Sequence, residues 1–305
     1  MTRAPLAAFV SAFASPRPTI ADEDGDASHS SRTASDGPRG PRNRGRVLTV
    51  FGAKGGIGKS MIATNMASVL AEDCGKSVLL IDLDTRFGSF AVLLGIEPKA
   101  SIADVARDGR PIDDVVFERA LVAHASGVRI LAAPRDPREW TAIDGPAVEA
   151  IVDHAARSFD YVILDAPGTY NEIVEASLTV ADQVLAISSR GIASLKDTAH
   201  FFDVLNAKGR VWDRVSLAIN DVHPADDVGD IEIRQATGHE VSWQIPYETA
   251  LATATQEGQP IVRSHPQSDV SQALRAMTFA VAGEDPGRLR KATRWSRFRQ
   301  RLVGD

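Results

Sequence analysis

Ala53-Lys54-Gly55-Gly56-Ile57-Gly58-Lys59-Ser60 sits between an apolar run, Val47-Leu48-Thr49-Val50-Phe51, and a helical pattern through Ile62, Met66, Val69 and Leu70. The apolar run reads as a parallel strand buried on both faces. Strand, glycine loop and helix in that order form a cradle for phosphate. Glycines let backbone N–H groups crowd around phosphate oxygens, and the helix N-terminus adds partial positive charge. In such a cradle Gly55, Gly56, Ile57 and Gly58 supply the backbone. Lys59 reaches the outer phosphates, and the Ser60 hydroxyl ligates Mg²⁺.

The composition is that of a globular protein. The chain has 305 residues, 44% hydrophobic and 24% charged, with a net charge of −6. No apolar run is long enough to span a bilayer. The single cysteine, Cys74, excludes an internal disulfide and fits a reducing cytoplasm. Charge is unevenly spread. Residues 284–305 carry seven Lys/Arg against three acids, whereas 46–283 hold most of the acids. An acidic body disfavours a broad DNA-binding face.

Three regions follow. Residues 1–45 are rich in Pro, Ser, Asp, Gly and Arg from Ser15 onward, a composition that cannot bury enough surface to order itself. Leu6, Phe9, Val10 and Phe13 fall at helical spacing, so a short docking helix and an unstructured start are both open there. Residues 46–283 alternate apolar runs with helical patterns. Strands are expected over 46–52, 78–82, 128–132, 161–165, 183–188 and 215–220. This predicts an α/β, doubly wound, mostly parallel sheet flanked by helices. Residues 284–305 form a basic tail. Within it Leu289, Ala292, Trp295, Phe298, Leu302 and Val303 share one helical arc, and Arg290, Arg294, Arg297 and Arg301 lie opposite. A basic amphipathic helix over 288–303 reads as a membrane-surface anchor, with a protein partner as the alternative.

Two further stretches carry chemistry. Ser77-Val78-Leu79-Leu80-Ile81 ends in Asp82-Leu83-Asp84, which alternation places as two carboxylates on one side of a strand end. Phe159-Asp160-Tyr161-Val162-Ile163-Leu164-Asp165-Ala166-Pro167-Gly168 puts an acid at the end of a buried strand. A positioned water and a neutralised phosphate are what phosphoryl transfer needs. His124, His154, His200, His223, His239 and His265 show no metal-ligand spacing.

Lys54, ahead of the glycine pair, makes the loop resemble the deviant Walker A of the ParA/MinD group of P-loop ATPases. The Asp-x-Asp and Asp-x-Pro-Gly elements resemble that group too. The resemblance implies a slow ATPase that dimerises through ATP, with Lys54 crossing to the partner's nucleotide. It implies that Asp84 sets the attacking water, that Asp82 supports the Mg²⁺ shell, and that Asp165 binds Mg²⁺. Gly168 would sense the γ-phosphate through its N–H, and Met61 would lie beside the α-phosphate. Asn220, ending Val215–Ile219, and Pro246, within Trp243-Gln244-Ile245-Pro246-Tyr247-Glu248, correspond to base-side positions. The words from Asp84 to Pro98, together with 100–105 and 124–134, resemble the CpaE/TadZ branch, the MinD-like ATPases of Flp (Tad) pilus assembly. That branch implies a cytoplasmic protein, peripheral at the plasma membrane or focal at a pole, partnered by a pilus or secretion machine. Septum positioning and DNA segregation are the other roles in the superfamily.

Overall fold

A computed structural model describes residues 44–285, apart from 85–87, 107–110, 208–213 and 224–227. The N-terminal segment and the basic helix expected over 288–303 lie outside the described residues.

The strands are β1 (Arg46–Phe51), β2 (Val78–Asp82), β3 (Leu121–Ala123), β4 (Arg129–Leu131), β5 (Tyr161–Asp165), β6 (Gln183–Ser188), β7 (Val215–Asn220) and β8 (Val241–Ile245). They form one eight-stranded sheet in the order β3-β4-β2-β5-β1-β6-β7-β8. Only β3 runs antiparallel to its neighbour. The expected doubly wound sheet is therefore the observed one, with two strands added at its edges. β3 is three residues long and continues straight from a helix, so it offered no run to read. β8 alternates half-buried and exposed residues, as an edge strand does, and lacks the continuous apolar run of the central strands.

Burial explains the central strands. Leu48 and Val50 of β1 enter a core shared with helix α1 (Lys59–Glu72), while Val47 and Phe51 enter cores on the opposite face. Residues 61–70 of α1 are all buried. The helix lies between the sheet and the last described helix, Asp269–Ala282, which accounts for its lack of a polar face. Each buried Ile or Leu there contributes about 2 kcal/mol. The second layer includes Gly145–Ser158, capped by the Asp144 carboxylate, and Glu172–Val180, capped by the Asn171 side chain.

The order reverses at β1, which pairs with β5 on one side and β6 on the other. Ligands of such sheets bind where the loops part at the carboxyl ends of the strands. In register, Asp165 stands beside Val50 and Asp82 beside Asp165. This brings three stretches of the sequence to one crevice.

Candidate functional site

A cleft of about 810 Å³ opens at that crevice. The glycine loop forms its floor. Gly58 sits at φ +89° as the residue before α1, and no side chain caps the helix. The first N–H groups of α1 are thus left for an anion. Gly58 has no room for a side chain: a Cβ there would lie 2.4 Å from Nδ2 of Asn220. Gly168 crosses the loop with a little more room, where a Cβ would meet Lys59 Nζ at 3.2 Å and the Gly52 carbonyl at 3.4 Å.

Lys59 Nζ donates to the Lys54 carbonyl at 3.2 Å. Burial pushes its pKa down, and the nearby Asp165 and Asp84 carboxylates oppose that shift. Lys59, Ser60, Met61, Asp84 and Gly168 line the cleft, with Gly55, Gly56 and Gly58. Ile57 is buried in the core below and does not line the cleft. Lys54 is exposed and outside the cleft wall.

Asp165 is buried behind Ser60, whose hydroxyl donates to Oδ2. Its other oxygen, Oδ1, is buried with no hydrogen-bond partner among the described residues. Burial pushes the Asp165 carboxyl up, and the negative charges of Asp82 and Asp84 add to this. An orphaned, crowded carboxylate beside a serine hydroxyl fits a hard cation. Among the described residues no group of three or more His, Cys, Asp or Glu side chains is placed to hold a metal ion by itself. Mg²⁺ commonly takes one or two carboxylates with waters and substrate phosphates.

Asp82 is placed differently from its neighbour. It is buried, and its oxygens are engaged: Oδ1 accepts from the Asp84 N–H at 3.0 Å, Oδ2 from the N–H groups of Ser89 at 3.0 Å and Phe90 at 3.4 Å. Burial pushes its carboxyl up, and those backbone donors pull it back. Asp82 stands next to Asp165 but ties down the ends of the Asp84 loop. Asp84 lies half-buried in the cleft wall, so strand alternation overstated how alike the two carboxylates are.

The other end of the cleft is built from later strand ends. Asn220 is buried and donates from Nδ2 to the Ile57 carbonyl at 2.9 Å. It therefore braces the glycine loop from the base-side position that the sequence indicated. Asp221, Val222, Pro246 and Tyr247 continue this wall, and Leu93, Leu251 and Thr255 face them. Sequence reasoning missed Leu93, Thr169 and the 249–256 segment. Their only signal is proximity to motif residues in the folded chain. Among the described residues no helix is long and apolar enough to cross a membrane.

Comparison with known proteins agrees with this geometry. A family model described as an AAA domain (AAA_31) matches residues 45–208. The septum site-determining protein MinD of Helicobacter pylori is 24% identical over 251 residues, covering 78% of this chain and 91% of that protein. A ParA family ATPase from Chlorobium tepidum has the same fold, with a TM-score of 0.71 at 21% identity over 77% of this chain and 98% of its own. So does Pyrococcus horikoshii MinD, solved with Mg-ADP, with a TM-score of 0.67 at 21% identity over 77% and 95%. The chain belongs to this AAA-domain family and is a MinD/ParA-like ATPase.

Proposed function

We propose that the chain is a dimeric switch that binds ATP with Mg²⁺ in this cleft, hydrolyses it slowly, and uses the cycle to position a Tad/Flp-type pilus machine. The observation that carries the nucleotide reading is the Asp165 oxygen left without a partner beside Ser60 and Lys59, under the uncapped start of α1.

The backbone of Gly55, Gly56, Ile57 and Gly58 holds phosphate oxygens. Lys59 places positive charge against the outer phosphate. Lys54, exposed at the rim, is free to reach a second copy. Ser60 and Asp165 hold Mg²⁺, whose contribution is to neutralise phosphate charge. Asp84 orients the attacking water, and Asp82 fixes the strand end that carries Asp84. Met61, Asn220 and Pro246 complete the walls. The pilus role rests on resemblance in the words after Asp84. The acidic body and the basic tail support a membrane or protein partner over DNA.

Lys54→Ala should lose about a hundredfold in hydrolysis and also lose the ATP-dependent dimer, while still binding ATP. A monomeric variant that turns over normally would sink the shared-site reading. Turnover should rise with anionic liposomes and not with DNA. Stimulation by DNA that collapses with added salt would instead favour a segregation ATPase. Deleting the gene in its native host should abolish Flp pili and leave septum placement intact. Misplaced septa with normal pili would favour the septum-positioning role.

A further inference from the structure

Asp221 and Glu248 are the charged side chains lining the far end of the cleft; Glu248 already accepts from the Val270 N–H, and the surroundings of Asp221 give it a task. It follows Asn220 at the end of β7, and its backbone N–H donates to the Ile245 carbonyl at 2.9 Å. Two donors from neighbouring strand ends fix its carboxylate. Arg190 Nε reaches Oδ1 at 3.1 Å, and Gln244 Nε2 reaches Oδ2 at 2.8 Å. Arg190 is itself anchored on the Val228 carbonyl at 2.7 Å and on Asp230 at 2.8 Å. The Arg190–Asp221 pair is mostly buried, with side-chain exposure of 13% for Arg190 and 18% for Asp221, while Gln244 is exposed. Yet Asp221 still lines the cleft. An ionised carboxylate accepts hydrogen bonds and cannot donate, and its two oxygens offer more acceptor sites than Arg190 and Gln244 fill. Asn220 beside it has already committed an amide hydrogen to the Ile57 carbonyl.

We infer that Asp221 reads the nucleobase, accepting a hydrogen bond from an exocyclic amino group of a purine. The inference rests on the nucleotide reading above and adds the residue that selects the base. A base without an N–H donor would set its ring acceptors against a fixed negative charge, and binding would weaken. Both adenine and guanine carry such an amino group. ATP bound more tightly than GTP identifies the 6-amino group, and the reverse identifies the N1–H and 2-amino edge of guanine.

The test is calorimetric titration of the full chain, with Mg²⁺ present, by ATP, GTP and purine riboside triphosphate, which lacks both amino groups. The better of ATP and GTP should bind about tenfold more tightly than purine riboside triphosphate, the effect of one hydrogen bond to a charged group. In Asp221→Ala that ratio should fall to about twofold or less. Equal binding of all three by the unaltered protein overturns the inference. So does an undiminished ratio in a variant that keeps its cooperative melting. If Asp221→Ala does not fold, the three nucleotides on the unaltered protein decide alone. Binding of none of the three would mark failure of the nucleotide reading itself, a different signature from equal binding.

Discussion

The two ends of the cleft are made differently. The phosphate end comes from one short stretch, residues 52–60, together with the tips of β2 and β5. It presents backbone N–H groups, one lysine and a buried carboxylate. The end proposed for the base draws on the ends of β7 and β8, on Leu93 and on the segment 247–256, and it presents side chains. A phosphate can be gripped by local backbone geometry because its charge does most of the work. A base has to be read by groups placed one at a time, and only the whole fold can bring them together. Asn220 joins the two ends, belonging to the base wall by position and to the glycine loop by its hydrogen bond.

Substitutions can test whether the ends are separable. The largest effect belongs to Lys59→Ala, which should cost about a hundredfold or more in triphosphate affinity by calorimetry while preserving the ranking of bases. A changed ranking would mean the ends are not independent. Gly58→Ala should cost about 3 kcal/mol in urea denaturation, through its positive φ and the clash with Asn220. The double variant with Asn220→Ala should recover only the part due to the clash.

Asn220→Ala alone should cost about 1.5 kcal/mol and about tenfold in affinity by releasing the loop. Unchanged affinity would show that the brace is idle. The smallest effect lies away from both ends. Ser77 donates to Asp160 from its N–H and from its hydroxyl, each at 2.8 Å, and these bonds hold the Asp160 carboxyl below the usual carboxylate range. A depressed carboxylate stabilises the fold above its ordinary pKa, and that stability is lost as pH falls through the lowered value. Asp160→Ala should therefore cost about 1 kcal/mol at neutral pH. The gap in melting temperature should narrow as pH falls below the ordinary carboxylate range, with nucleotide binding unaffected throughout.

What the sequence revealed follows the same division. The central strands announce themselves as continuous stretches buried on both faces, Asp165 as the acid that ends one of them, and the glycine loop by its glycines and lysines between a strand and a helix. The doubly wound sheet follows from them. Asp82 and Asp84 were legible as a pair, but not their separate fates. Those depend on where Ser89 and Phe90 turn back, and no spacing encodes that. Asn220 stands out as a polar strand end, whereas its partner Ile57 is 163 residues away. The Arg190–Asp221–Gln244 clasp joins three strand ends that become neighbours only after the sheet has formed. β8 hid in its own alternation, since an edge strand with a wet face resembles a loop.

The far edge of the sheet has a mechanical consequence. Arg44 and Gly45, where the described chain begins, and Glu284, near where it stops, line one small pocket opposite the cleft. Arg46 bonds the Ala282 carbonyl, and the Tyr161 hydroxyl donates to the same carbonyl at 3.0 Å and to Glu284 at 2.6 Å. The chain's two leads are thus knotted at a single post. Pulling them apart loads that post. Pulling both together against a held nucleotide draws lengthwise along β1 and β5, two rods whose other ends carry the glycine loop and Asp165. Force applied at Arg46 or at Tyr161 would therefore run in line with the glycine loop and Asp165 at the other ends of these strands.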